Sequence, residues 1–305
     1  MLGIAMILRH IHYFLAVAEH GNFTRAADVL HVSQPTLSQQ IRQLEESLGT
    51  VLLDRSGRRV RLTDAGEVWA RHAKLALREL DSGARAVHDV AELSRGVIRL
   101  AATPTITSYL AGAVISEFHN LYPGITIDLH EIPQAQIELM LADDKLDLGI
   151  AFDHAQSAEI EYQSLFSETL NLVIEKKHVL MESVNASSVN VLTTEPLVLL
   201  NTSFATRQHI DEYCRLLNIR ANVVIETNSI SAILQIVRKG HISTILPSQI
   251  DLEGTDLYSL QLDPPLPARK VVILRRKDAY QTAAVRAFTQ VLIDYADCIM
   301  ARTGY

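Results

Sequence analysis

"HVSQPTLSQQIRQLEESLG", residues 31–49, decides how the first part of this 305-residue chain folds. Leu37, Ile41, Leu44 and Leu48 recur at i, i+4, i+7 and i+11, which places them on one face of a helix. The opposite face, at about 100° per residue, collects Pro35, Ser38, Gln39 and Arg42, with Thr36 and Gln43 beside them. Ser33 is placed to cap this helix, Pro35 falls in its first turn where proline is tolerated, and Gly49 ends it. A helix with one apolar face and short hydrogen-bonding side chains at its start suits a DNA major groove. Gln pairs with adenine, Ser and Thr bond to base edges or phosphates, and a Pro or Thr methyl touches thymine methyls. The amides and dipole at the helix start also favour phosphate.

The flanking sequence supports the same reading. Upstream, "RHIHYFLAVAEHG" puts apolar residues 11, 14, 15 and 18 on one helical face, and "FTRAADVLH" forms a second short helix with Asn22 or Thr24 as its cap. Downstream, "VLLDRSGRRVRLT" reads as two short strands around a Ser-Gly turn, a wing with arginines at its tip. Residues 64–95 contain no proline and form a long helix. Its heptad rows 69, 76, 83, 90 and 73, 80, 87, 94 make a modest apolar seam, relaxed at Gly83, from which dimerisation is expected.

The net charge of −7 argues against a uniformly nucleic-acid-binding surface. Residues 1–65 nevertheless hold seven arginines against six acids, and four of those arginines fall between 55 and 61. A local basic spot on an acidic chain suits a local anionic partner. The 48% hydrophobic content is that of a globular protein, and the length suggests about two domains. Cys214 and Cys298 form no CxxC pair, which points to a reducing, cytoplasmic setting. "MLGIAMIL" lacks the basic lead of a signal peptide, and no apolar run reaches the ~20 residues of a membrane helix.

From Gly96 the pattern alternates: "VIRLAA", "ITIDLHEI" and "LDLGIAF" are strands, with helices over "ITSYLAGAVISEFHNLY" and "QAQIELMLADD" between them. This βαβαβ order begins a parallel sheet. A second series follows from about 165, with strands near 170–174, 196–200, 223–227 and 242–246 and helices near 206–217 and 229–239. The amphipathic "QTAAVRAFTQVLIDYA" closes the chain.

Residues 12–67, with "FTRAADVLHVSQPTLSQQIRQLE" and "LLDRSGRRVRLTDAG", resemble the N-terminal signature of LysR-type transcriptional regulators. The resemblance implies a winged helix-turn-helix head over 1–65 and a linker helix over 66–95. It further implies a two-lobed α/β effector domain resembling periplasmic solute-binding proteins. Lobe I is expected over 96–165 and 267–305, and lobe II over 166–266. Ser33, Gln34, Pro35, Thr36, Ser38, Gln39 and Arg42 would face the groove or phosphates, with Arg55 and Arg58 serving the wing. Thr63 would cap the linker helix and bond to phosphate. Effector ligands of the family lie between the lobes. This implicates Thr103, Pro104 and Thr105 at a strand-to-helix turn, and Ser203, Phe204, Thr206 and Asn228 from the second lobe.

"TSY", "FATRQHID", "VIETNSISAIL" and "LRRKDAYQTAA" resemble, within that family, regulators of cyanate-degradation operons. They imply cyanate, a small linear monoanion, as effector and an activator that would meet RNA polymerase. A homodimer or homotetramer on double-stranded operator DNA is expected, with activation or repression open. Met1–Ala5 precede the family's usual start, which makes Met6 an alternative start.

Other chemistries find little support. His10 and His12 lie on different helix faces without acidic or thiol partners at ligand spacing, so no metal is expected. No GxSxG, P-loop or GxGxxG occurs, and no catalytic residue or cofactor is expected. A small-molecule-transforming α/β enzyme remains the alternative of another class. A solute-binding module alone would require export, which the head contradicts.

Overall fold

The computed structural model describes residues 4–89, 96–153, 157–182 and 187–303. The chain divides into two compact units, 1–87 and 88–305. Residues 1–3, on which the alternative start at Met6 turns, lie outside the described residues.

In the first unit, α1 (Ile4–His20), α2 (Phe23–Val29) and α3 (Gln34–Leu48) pack around Phe14, Val17, Ala26, Leu37, Ile41 and Leu44. Asn22 caps α2, accepting from Arg25 N at 3.0 Å. Ser33 Oγ caps α3, accepting from Thr36 N at 3.3 Å. Gly49 closes α3 at φ +68°, a left-handed conformation natural to glycine. Leu48 departs from the expected apolar face: it is 38% exposed, because α3 ends there against the cap.

β1 (Leu53–Asp54) and β2 (Arg61–Leu62) pair antiparallel as the wing. α4 (Asp64–Asp89) follows, with Asp64 and Glu67 in its first turn, where the helix dipole favours acids. Its start is pressed against the wing: a Cβ on Gly66 would lie 2.1 Å from Leu52 O. Trp69 and Ala70 pack on the head core and Ala73 is buried, whereas Leu75 and Leu80 are exposed. The expected heptad rows therefore divide between head packing and an uncovered stretch. The side chains at 87, 90 and 94 lie outside the described residues.

In the second unit, β3 (Gly96–Ala102) leads through α5 (Pro104–Ile106) and a π-helical turn, Thr107–Ala111, into α6 (Gly112–Leu121). Then come β4 (Ile125–Glu131), α7 (Gln134–Ala142), β5 (Leu148–Phe152) and β6 (Ile160–Glu168). After one residue, Thr169, the chain enters β7 (Leu170–Glu175), followed by β8 (Leu197–Leu200), α8 (Ala205–Leu216), β9 (Val223–Thr227), α9 (Ile230–Arg238), β10 (Thr244–Pro247) and β11 (Leu257–Leu260). β12 (Arg269–Arg276) and α10 (Ala283–Thr303) complete it.

One five-stranded sheet runs β4-β3-β5-β12-β6, with β3 parallel to β4 and β5 as expected and β12 antiparallel between β5 and β6. Its core gathers Leu100, Phe118, Leu148, Val271, Ile273 and Phe288. β5 is buried at every position, which explains its unbroken apolar run. The second lobe builds on two sheets, β10-β7-β11 and β8-β9, around separate cores. The chain passes between the lobes at two places, after β6 and before β12.

Candidate functional site

The head exposes the side that the sequence assigned to DNA. Gln34, Pro35, Thr36, Gln39 and Arg42 are exposed and Ser38 is half-buried, while Leu37, Ile41 and Leu44 are buried behind them. Ser33 and Thr36 also bond to each other through their hydroxyls at 2.7 Å. That bond helps fix the helix start.

The wing arginines separate into two kinds. Arg55 donates to Glu45 Oε2 at 2.8 Å and stacks over Phe23, 5.1 Å from the ring centre. Glu45 Oε1 meanwhile accepts from Leu52 N at 2.9 Å and Leu53 N at 3.1 Å. Glu45 and Arg55 thus fasten the wing to α3. Arg58 and Arg59 are exposed near the wing turn, beside Asp54, Ser56, Gly57 and Arg61. The Asp54 carboxyl is held below its usual value by the Ser56 amide and hydroxyl, then by Arg61. Thr63 caps α4, accepting from Gly66 N at 3.0 Å, but its hydroxyl hydrogen goes to Val51 O at 2.8 Å.

In the second unit, a cavity of about 290 Å3 lies between the lobes, with Gln134, Glu138, Phe152, Ser203, Gln208 and Arg269 in its lining. Beside it lies a buried polar chain. Glu168 ends β6, Arg269 begins β12, and they are cross-strand partners. Arg269 Nε donates to Glu168 Oε1 at 2.7 Å, and its guanidinium lies 3.6 Å from the centre of the Phe152 ring. Tyr109, in the π-helical turn, donates to Glu168 Oε2 at 2.5 Å. Burial, then the neighbouring Glu168 carboxylate, push the Tyr109 phenol well above its ordinary value, so it keeps its proton. From Arg269 the chain continues through Nη1 to Thr206 Oγ1 at 3.1 Å, and Thr206 meets Thr105 at 3.2 Å. That last contact joins the lobes directly.

The expected effector residues therefore separate. Ser203 lines the cavity. Thr105 and Thr206 belong to the polar chain. Thr103 is 3% exposed, and its Oγ1 has no hydrogen-bond partner. Pro104 is buried, and Phe204 is built into the lobe II core. Asn228 is exposed and is not part of the cavity lining. Sequence reasoning missed Gln134, Glu138, Phe152, Glu168, Tyr109 and Arg269. Gln134 holds the end of β5 by two bonds, Nε2 to Phe152 O at 3.0 Å and Phe152 N to Oε1 at 3.1 Å. The only sequence signal was two charged residues, Glu168 and Arg269, each bordering an apolar strand.

Among the described residues no group of His, Cys, Asp and Glu is arranged to hold a metal ion, and no helix is long and apolar enough to cross a membrane.

An exposed recognition face on a helix-turn-helix head and a cleft between two α/β lobes define a ligand-responsive DNA-binding regulator. The chain belongs to the LysR family of transcriptional regulators: residues 8–67 match the bacterial regulatory helix-turn-helix protein family of that type, and residues 91–297 match the LysR substrate binding domain. It is 30% identical over 276 residues to the HTH-type transcriptional regulator AlsR of Bacillus subtilis, covering 90% of this chain and 91% of that one. It is 32% identical over 243 residues to a hydrogen peroxide-inducible genes activator of Dickeya chrysanthemi, covering 80% and 79%. Full-length CbnR in complex with its target DNA has the same fold, with a TM-score of 0.55 at 22% identity over 95% of this chain and 99% of that one. These relatives are transcriptional regulators and not enzymes.

Proposed function

We propose that this regulator reads its operator with the start of α3 and the tip of the wing, as a homodimer or homotetramer joined through α4. The observation that carries this reading is the exposed Gln34, Gln39 and Arg42 in front of a buried Leu37-Ile41-Leu44 face, together with the exposed Arg58 and Arg59 at the wing turn. Val68, Leu75 and Leu80 are exposed on α4, which supports a partner helix there. Its place of action is the cytoplasm, where operator DNA and, for an activator of transcription, RNA polymerase are met. Selection of duplexes from a random library with the full-length chain tests the reading. One enriched motif is expected, lost in the Gln34→Ala variant; no enrichment sinks it.

The lobes are proposed to close on a small effector, and closure to shift the placement of the heads. A ligand moves such an equilibrium only as far as its differential affinity allows. Cyanate is the finer reading, carried by the resemblance. Its physical support is the buried, unpartnered Thr103 hydroxyl at a helix start. Calorimetric titration of the full-length chain with cyanate, with formate and chloride as controls, checks it; binding abolished by Thr103→Ala is expected, and no heat at millimolar cyanate removes it.

The cavity favours a second reading, a larger effector. About 290 Å3 is several times the ~30 Å3 share of one water molecule in the liquid, and more than a triatomic ion fills. For the stimulus named for the Dickeya relative, Cys214 is a poor thiol, while Cys298 is exposed on α10. A peroxide-reactive thiol needs access and a lowered pKa, whereas Cys214 is buried in the lobe II core and burial pushes its thiol up.

A further inference from the structure

His10 stands out among the buried residues of the head. It sits on α1 at 0% exposure, whereas His12, two positions on, is exposed. A buried polar ring costs desolvation unless its nitrogens find partners, and only one of them does. Nε2 lies 3.1 Å from Gln40 Oε1 on α3, while Nδ1 has no hydrogen-bond partner. Replacing both members of such a pair by apolar groups of similar shape is often neutral or stabilising. Core packing alone does not call for a histidine at this place.

Its one bond is the first of two. The Gln40 carbonyl oxygen only accepts, so His10 Nε2 donates to it, and the Gln40 amide nitrogen is left to point elsewhere. That nitrogen donates to Gln43 Oε1 at 3.0 Å. Gln40 is half-buried and Gln43 is exposed, so the chain climbs from the core of the head to the surface of α3. A glutamine free to turn offers either end of its amide. Gln43 has its oxygen engaged, which leaves Nε2 and its hydrogens as the end it presents. Gln43 comes nine positions after Gln34, about 13 Å further along the helix axis, beyond the first turns whose short side chains suit base edges. Phosphate oxygens only accept, and uncharged side-chain donors that meet them fix the register of a protein on its duplex.

We propose that Gln43 donates from Nε2 to one operator phosphate, and that His10, acting through Gln40, is the residue that positions it. This rests on the reading that α3 faces DNA. His10 itself touches no DNA; its part is to set the direction of two amides in turn.

The test uses the full-length chain and the duplex it enriches from the random library, with each phosphate in turn replaced by an uncharged methylphosphonate. At one position the replacement is expected to weaken binding of the parent at least about fivefold, roughly what one neutral hydrogen bond contributes. At that position Gln43→Ala is expected to lose nothing further. On the unmodified duplex Gln43→Ala is expected to bind more weakly with an unchanged salt slope, because an uncharged donor releases no counterion. Gln40→Met, and the double variant His10→Met, Gln40→Met, are expected to become insensitive at the same position while melting as cooperatively as the parent. Gln40→Met alone carries the test if the double variant does not fold. A Gln43→Ala chain that keeps every phosphate effect of the parent overturns the contact. Full sensitivity in Gln40→Met overturns the positioning by His10 and leaves the contact standing. A library that enriches no duplex overturns the reading of α3 itself, and the proposal with it.

Discussion

Glu168 and Arg269 show how much one pair of residues determines in this molecule. Both are buried, and each has a second commitment, to Tyr109 and Thr206 respectively. Removing one partner strands the other charge, which costs about 3–5 kcal/mol. Arg269→Met is therefore expected to lower the unfolding free energy measured by urea denaturation by about 3–5 kcal/mol, and the double variant Glu168→Gln, Arg269→Met by clearly less. Equal losses in the two would show that packing, not stranded charge, sets the cost. Gly66 is a second residue with little freedom. An added methyl would meet the Leu52 carbonyl oxygen at 2.1 Å, backbone that cannot rotate away. Gly66→Ala is expected to destabilise the head by at least the ~1–3 kcal/mol typical of overpacking, read as a lowered melting temperature.

At the level of elements, α3 and the wing act as one piece because Glu45 holds Leu52 and Leu53 by their amides and Arg55 by its guanidinium. Gln34→Ala is expected to weaken binding to the selected operator more than binding to random duplex. Arg58→Ala is expected to weaken both alike and to reduce the salt slope by about 1. Arg55→Ala is expected to lower operator affinity with a smaller change of slope, since its charge is already engaged by Glu45. A full unit of slope lost in Arg55→Ala would place it on phosphate instead. The helix and its caps were legible in sequence, because Ser33, Pro35 and Gly49 act locally on their own turn. Leu48 was misplaced by the same periodicity, since spacing does not tell where neighbouring helices stop covering a face.

For the whole molecule, alkaline pH is the simplest probe of packing. Tyr213 is buried in lobe II and donates to Pro264 O; burial, then Cys214 and Asp263, push its phenol from 10.0 up to about 12. Tyr109 and Cys214 shift in the same direction. The folded chain thus holds these protons to higher pH than the unfolded chain does. Their contribution is fully present below the unfolded values and is lost as pH rises through the folded ones. Stability is expected to fall between about pH 10 and 12, followed by circular dichroism in urea, and the fall is expected to be shallower in Tyr213→Phe. A stability that stays flat across this window would contradict the burial of these phenols.

The sequence alone determined the head, the long helix after it and the alternation of strands and helices in two series. All of these follow from spacing, caps and turns within a few residues. Only tertiary structure decided that β12 inserts antiparallel between β5 and β6, and that Glu168 meets Arg269 from 101 positions away. The cavity belongs to that second group. Its walls come from α7, β5, α8 and β12, and no local pattern records which side chains such distant segments bring together. Periodicity marks which face of an element is buried, but the partner that buries it is chosen by the packing of the whole chain.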